Sequence, residues 1–306
     1  MKRCIMIINP ESGKKKKIKS FQDFYDILRK HGYDTEIIFT KKKGDAKKIV
    51  QSLDDNIDLV ISAGGDGTLN EVISGNILRR KYLTVAPLPL GSTNDVGNMI
   101  GLDKSIYENL ENLLNGKRKK IDICSINNTP FIYVACLGDY VDMAYNTPRE
   151  LKRKYGHIAY ILYGFKQFIN KLHKYRIRYM INGEEKEGDY SFFFITNSST
   201  IAGQPDIYND IKLDDNMFEV ALANVKTKKE LIKMLILMSS KDIKDIPGIT
   251  YYQTNSFKLE FIDPPKTSWC IDGEEYKDAN TKFEFSIKES IEILIPKENI
   301  SKLFEK

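Results

Sequence analysis

The chain has 306 residues, is 42% apolar and 29% charged, and carries a formal net charge of +5. That length exceeds one small core and suits two soluble domains. The weak positive charge is compatible with an anionic substrate or an anionic membrane surface, but Asp and Glu are plentiful, so nucleic acid is not an expected partner.

Other classes are excluded in the same way. The apolar run in "MKRCIMIINP" stops at Asn9-Pro10, too soon for a signal peptide. No stretch approaches the roughly 18 apolar residues of a membrane span. Cys4, Cys124, Cys136 and Cys270 are far apart, with no C-x-x-C pair, so zinc-site spacing is missing and a reduced cytosolic chain is expected.

The first third alternates. "RCIMIINP" predicts a buried strand and "SFQDFYDILRKHG" an amphipathic helix, with Ser20 as N-cap and Gly32 past its end. "DTEIIFT" and "GDAKKIVQSL" repeat the pair, as do "IDLVISAGGDG" and "TLNEVISGNILRR", then "LTVAPLPLGSTNDVGNMIG". Strands alternating with helices predict a doubly wound parallel α/β domain with helices on both faces. From about Asn127 the pattern changes to aromatic and β-branched strands such as "YSFFFITNSS", "SFKLEFID" and "KFEFSIKESIEILIP", punctuated by Asn-Gly and Asp-Gly turns. This predicts an antiparallel β-sandwich, interrupted by helices near 157–174 and 227–239. The tail "KENISKLFEK" is expected to form one helix that packs back on the first domain. The expected organisation is an α/β nucleotide-binding domain over 1–126 plus the tail 291–306, and a β-sandwich domain over 127–290.

Two strand-to-helix turns carry the chemistry. "ISAGGDGTLNEV" lacks both the P-loop pattern and the third glycine of a dinucleotide fingerprint, where Asn70 stands. Free N–H groups at a helix N-terminus still attract phosphate, and Gly64, Gly65 and Gly67 let the backbone come close. Asp66 in that turn either N-caps its helix or holds a cation that reconciles carboxylate with phosphate. "PLPLGSTNDV" is a second such turn, with Ser92, Thr93, Asn94 and Asp95. Adjacent turns of this kind form a crevice at the strand C-termini, where two carboxylates suit a metal–phosphate. Asp122 in "KKIDIC" is a third candidate.

"INPESGK" at 8–14, "GGDGTLNEV" at 64–72, "PLGSTNDV" at 89–96 and "IDGEE" at 271–275 occur in that order. Together they resemble the diacylglycerol kinase catalytic-domain family, which includes bacterial lipid kinases and the sphingosine and ceramide kinases. The resemblance spans almost the whole chain. It implies ATP and Mg²⁺ as cofactors, with ATP lying between the two domains. By the same resemblance Asn9, Pro10, Glu11, Ser12, Gly13 and Thr40 border the nucleotide. Gly65, Asp66, Gly67, Thr68, Leu69, Asn70 and Glu71 wrap the phosphates, and Ser92 adds a hydroxyl where the family commonly has Thr. Asp66, Asp95 and Asp122 resemble the carboxylates that organise the catalytic Mg²⁺, partly through water. Glu274 takes the place of the general base, with Asp272 beside it. "IKLDDNMFEV" at 211–220 resembles a structural Mg²⁺ segment in which Asp215 supplies its side chain and Lys212 and Met217 their carbonyls. Asn216 stands there in place of the usual Gly.

The chain supplies its own control for the base. "INGEE" at 181–185 nearly repeats "IDGEE", and local chemistry cannot choose between two Asx-Gly hairpin turns. For the lipid, "HIAYILYGFKQFINKL" places Ile158, Ile161, Leu162, Phe165, Phe168, Ile169 and Leu172 on one stripe, and Leu151 to Arg178 holds eight Lys or Arg and no acid. The stripe either packs on the sandwich with solvated lysines or meets anionic lipid. "ELIKMLILMSSKD" is a second helix whose Met residues either join the core or line an acyl pocket.

The expected activity is ATP- and Mg²⁺-dependent phosphorylation of diacylglycerol to phosphatidic acid. A cytoplasmic enzyme peripheral to the membrane is expected, with a homodimer entertained as its assembly. The alternatives are a kinase of another lipid, such as phosphatidylglycerol or a sphingoid base, and a non-enzymatic lipid or nucleotide sensor.

Overall fold

The structure is a computed structural model that describes residues 1–13, 18, 20–139, 172–201, 207, 208, 210–238 and 240–305. The expected helix near 157–174 lies outside the described residues up to 171, as does most of its basic segment. Residues 172–174 have no regular structure. The chain divides into two compact units, Met1–Ile121 with Glu289–Lys306, and Asp122–Lys288.

The first unit runs β1 (Lys2–Ile8), α1 (Gln22–Lys30), β2 (Tyr33–Phe39), α2 (Asp45–Ser52), β3 (Leu59–Gly64), α3 (Asp66–Ile77), β4 (Val85–Pro89), α4 (Asp95–Met99), α5 (Ile106–Leu114) and the start of β5 (Lys117–Ile126). The strands pair in parallel in the order β2-β1-β3-β4. Their burial explains their sequence. Every residue of β3 and β4 is buried, and apart from Ser62 these central strands are apolar throughout rather than alternating. Right-handed crossovers with this strand order put α1 on one face and α2 and α3 on the other. Phe24 and Leu28, one helical turn apart on α1, are fully buried, and the Phe24 ring meets Tyr107 of α5 at 5.2 Å. The N-cap of α1 is Phe21 rather than the expected Ser20, which stands one residue earlier and still accepts the Gln22 N–H at its Oγ, 3.0 Å away. A reciprocal Ser105–Glu108 capping box starts α5.

The second unit contains β6 (Thr129–Phe131), β7 (Val134–Gly138), β8 (Tyr175–Ile181), β9 (Glu184–Tyr190), β10 (Phe192–Thr196), β11 (Phe218–Ala223), α6 (Lys228–Met238), β12 (Ile249–Thr254), β13 (Ser256–Phe261), β14 (Trp269–Ile271), β15 (Glu274–Tyr276) and the start of β16 (Lys282–Ile295). One antiparallel sheet is ordered β16-β13-β8-β9 and the other β12-β11-β10-β7-β14-β15. Strict alternation makes the sandwich: Tyr175, Ile177, Tyr179 and Ile181 of β8 are buried, and the residues between them are exposed. The inward faces share one core, in which Trp269 lies 5.2 Å from Phe285 and 6.2 Å from Phe193. Aromatic rings of this size dominate core burial, and edge-to-face packing adds to it. On α6, Leu231 and Met234 face inward while Ile236 is exposed.

The end of β16 belongs to the first unit, where Ile293 pairs in parallel with Val85 of β4. The tail departs from the expected single helix. Pro296 opens a 3₁₀ turn at Lys297–Asn299, and only then does α7 (Ile300–Leu303) form. Burial of Leu303 and Phe304 fixes this short end, with Lys119 over the Phe304 ring.

Candidate functional site

In the first unit, three loops gather at the C-terminal ends of β1, β3 and β4. With the order β2-β1-β3-β4 the chain reverses direction of winding between β1 and β3, the switch point at which open α/β sheets bind ligands. Asn9 follows β1 and Thr68 lies in the first turn of α3. Asn9 Nδ2 donates to Thr68 Oγ1 at 3.1 Å, which joins the two loops across the switch point. The Asn9 carbonyl accepts the Ser12 N–H at 3.2 Å, and Asn9 Oδ1 accepts the Glu11 N–H at 2.9 Å, so the Asn-Pro-Glu-Ser turn is closed by its own asparagine. Thr40, nearly buried, ends β2 with its N–H on the Ile8 carbonyl.

The turns after β3 and β4 touch through glycine. A Cβ on Gly91 would stand 2.6 Å from the Gly65 Cα and 2.7 Å from Asn94 Oδ1, so no side chain fits there. A Cβ on Gly13 would come 3.0 Å from Ser92 Oγ, which puts the first loop against the third. Gly91→Ala is therefore expected to destabilise the first unit by about 2 kcal/mol, the usual scale of overpacking, and to weaken nucleotide binding. Chemical denaturation and ATP titration measure the two effects.

Asp66 does not cap its own helix. Gly65 occupies the N-cap of α3, with no side-chain cap bond. Instead the Asp66 carboxylate reaches the next turn, where Oδ2 accepts the Asp95 N–H at 3.1 Å and Oδ1 the Val96 N–H at 3.3 Å. The reading of Asp66 as a local cap is thus corrected: it caps α4. Asp95 is buried beside it, and Asn94 holds the turn in the left-handed region at φ +56°. Asn94 Nδ2 ties back to the Gly91 carbonyl at 2.8 Å.

Glu71 has a similar bracing contact. Its carboxylate accepts the N–H groups of Gly44 (2.7 Å) and Ala46 (3.1 Å), the start of α2. Asp45 accepts the Lys41 and Lys42 N–H groups, and the first of these holds its carboxyl below the usual range. Leu69 is core, and Asn70 Oδ1 accepts from the Ser74 hydroxyl. Of the expected nucleotide-lining residues, Asn9, Pro10, Ser12, Gly65, Asp66 and Gly67 are half-exposed and Glu11, Gly13 and Ser92 are exposed.

In the second unit the two look-alike hairpins differ. Both turn through left-handed residues: Asn182 (φ +51°) and Gly183 (+80°) in one, Asp272 (+47°) and Gly273 (+83°) in the other. Both place a glutamate opposite an isoleucine, Glu184 across from Ile181 and Glu274 across from Ile271. Glu184 is exposed and pairs with Lys186 at 2.8 Å. Asp272 is buried, and its carboxylate accepts three backbone N–H groups, from Ile132 (2.8 Å), Tyr133 (3.0 Å) and Val134 (3.1 Å). That hairpin is therefore fastened to the start of β7, and it presents an exposed Glu274.

The fastening continues to Asp122. The Asn197 N–H donates to the Tyr133 carbonyl at 3.1 Å, and Asn197 Nδ2 donates to the Asp122 carbonyl at 2.8 Å. Asp122 Oδ2 accepts the Asn216 N–H at 2.7 Å. Asn216 stands at φ +59°, a left-handed angle that asparagine accepts better than most residues. Asp215 accepts from the Met217 N–H at 3.0 Å and from Gln253 Nε2 at 3.1 Å. Glu219, four residues after Asp215, is 2% exposed, and Oε2 has no hydrogen-bond partner among the described residues. Burial, then the charge of Asp215, pushes it up to about 8. The Cys124 thiol is held well above its ordinary value by burial, then by the charges of Glu219, Asp122, Asp272 and Asp215.

Asp66 and Asp95 thus come together in the first unit, and Asp122, Asp215, Asp272 and Glu219 gather in the second. Among the described residues, no group of three or more His, Cys, Asp or Glu side chains could hold a metal directly. The donor set suits a cation held in part by carbonyls or water. Asn197 and Glu219 were not singled out by the sequence. The only local signals were a polar "TNSS" ending an apolar strand and an acid inside "FEVALA".

Comparisons with known proteins agree with this geometry. The diacylglycerol kinase catalytic domain model matches residues 3–126. A protein of Staphylococcus saprophyticus named diacylglycerol kinase is 30% identical over 296 residues, covering 96% of each chain. One of Staphylococcus aureus with the same name is 28% identical, covering 98% of this chain and 94% of that protein. The crystal structure of a diacylglycerol kinase from Bacillus anthracis superposes with a TM-score of 0.78 at 20% identity, over 98% of this chain and 99% of that one, which supports the same fold. With the ordered motifs on their turns and a 30% identical relative spanning its length, the chain belongs to the diacylglycerol kinase catalytic-domain family and is a kinase of that family.

Proposed function

We propose that the protein transfers the γ-phosphoryl group of ATP to the hydroxyl of diacylglycerol, giving phosphatidic acid and ADP. The observation that carries this reading is the pair of turns clamped by Asp66, at the switch point beside the Asn9–Thr68 bond. Phosphoryl transfer asks the protein mainly for positioning and electrostatics. The half-exposed backbone of Gly65–Gly67 and the start of α3 suit the nucleotide's phosphates. Asp66 and Asp95 fit best as residues that organise these turns and the waters of a cation. Mg²⁺, when bound with ATP, would offset the charge of the transferred group.

Glu274 would accept the proton of the lipid hydroxyl as its oxygen attacks the γ-phosphorus and the bond to the β-phosphate oxygen breaks. Asp272 would fix the turn that carries it. No described helix is long and apolar enough to cross a membrane. A cytoplasmic enzyme docking peripherally on the membrane that holds its substrate fits this reading.

The test is incubation of the purified protein with labelled ATP, Mg²⁺ and mixed micelles containing diacylglycerol, phosphatidylglycerol or a sphingoid base, followed by thin-layer separation. Labelled phosphatidic acid is the expected product. Label on a different lipid would replace the substrate, and ATP binding with no labelled lipid would replace the enzyme by a sensor.

A further inference from the structure

We propose that Glu219 supplies a second negative charge to a divalent-cation site at the Lys212–Met217 segment. The identity of the cation rests on the lipid-kinase reading. The role of Glu219 rests on the surroundings of its side chain.

Glu219 lies on β11, opposite Thr196 of β10 and Gln253 of β12. Gln253 Nε2 is 3.1 Å from Asp215 Oδ2 and 3.5 Å from Glu219 Oε1, so one amide bridges the two carboxylates. Glu219 Oε2 is buried and meets no hydrogen-bond partner among the described residues. A buried acid with an unanswered oxygen is costly unless a cation or donor meets it.

Lys244, a cation of this region, is engaged elsewhere. Lys244 Nζ is 3.0 Å from Asp210 and 3.5 Å from Asp242, so two other carboxylates answer its charge. Asp122, Asp215 and Glu219 leave the region rich in acid. A hard divalent cation seated on the Asp215 carboxylate and the turn's carbonyls would offset that charge, and oxygen-only ligands of this kind suit Mg²⁺ or Ca²⁺. Glu219 then acts from behind Asp215, directly or on a water of the cation. Groups in such a position orient the ligands and set affinity.

The experiment follows thermal melting of the full-length, nucleotide-free protein, stripped with chelator and titrated with MgCl₂. The wild type is expected to melt at rising temperature and saturate. Glu219→Gln is expected to raise the Mg²⁺ midpoint at least ~10-fold, the usual scale for such supporting residues, and to melt above the wild type in chelator. Glu219→Asp, which keeps the charge, should recover part of the affinity, and Asp215→Asn should lose the response. A Glu219→Gln midpoint equal to the wild type's overturns the proposal. A wild type with no saturable response overturns it together with the turn as a cation site. Phosphatidic acid formation, measured separately, decides the lipid-kinase reading on its own.

Discussion

Replacing Glu274 by Ala is expected to lower turnover by roughly 10²–10⁴-fold, the range a general base contributes, while Glu184→Ala should leave it close to wild type. The two glutamates occupy the same place in near-identical hairpins, so hairpin chemistry cancels in the comparison. Glu184 sits in solvent, engaged with Lys186. Glu274 sits on a turn whose Asp272 is locked to three backbone N–H groups. If Glu274 is the base, its loss should fall on kcat with little change in KM for ATP, because a proton acceptor contributes in the transition state. Steady-state rates of both variants measure this. Equal activity in the two would remove Glu274 from that role.

Asp272→Asn is expected to be the most damaging conservative change in the second unit. A carboxylate can face Ile132, Tyr133 and Val134 N–H groups at once, because every lone pair accepts. An asparagine has one oxygen, so its NH₂ would confront a buried N–H donor. Hydrogen bonds to a charged group contribute about 1.5–3 kcal/mol each, and an unsatisfied buried donor costs a similar amount, so a loss of roughly 3–5 kcal/mol is expected. Denaturant unfolding measures it. If Asp272 positions Glu274 as proposed, kcat should fall as well, even at temperatures where the variant stays folded. Full activity with a large stability loss would confine Asp272 to holding the sandwich together.

Much of the fold was legible because the two units obey different periodicities. Continuous burial in β3 and β4 and strict alternation in β8 are each written into the residues. The tail was less legible: Pro296 and the burial of Leu303 and Phe304 give a 3₁₀ turn and one helical turn, and those contacts are made with distant residues.

The site divides along the same line. Motif spelling located the turns, but not what their side chains hold. Asp66 looked like either a local cap or a cation holder, and it caps a helix that starts 29 residues later. "INGEE" and "IDGEE" share their turn because Asn-Gly and Asp-Gly both accept left-handed angles. What separates them is a bond to Ile132, 140 residues earlier in the chain. Glu219 was hidden for a related reason: an acid in an apolar strand is ordinary in sequence, and only strand pairing shows that its surroundings leave an oxygen unanswered.

The central claim, that this chain moves phosphoryl groups from ATP to diacylglycerol, is tested most directly by following ADP release and phosphatidic acid formation in the same reaction. The account predicts that the two appear in equal amounts, that both require diacylglycerol in the micelle, and that both collapse together in Glu274→Ala. ADP release without phosphatidic acid, or bound ATP that is never consumed in the presence of diacylglycerol, would contradict it.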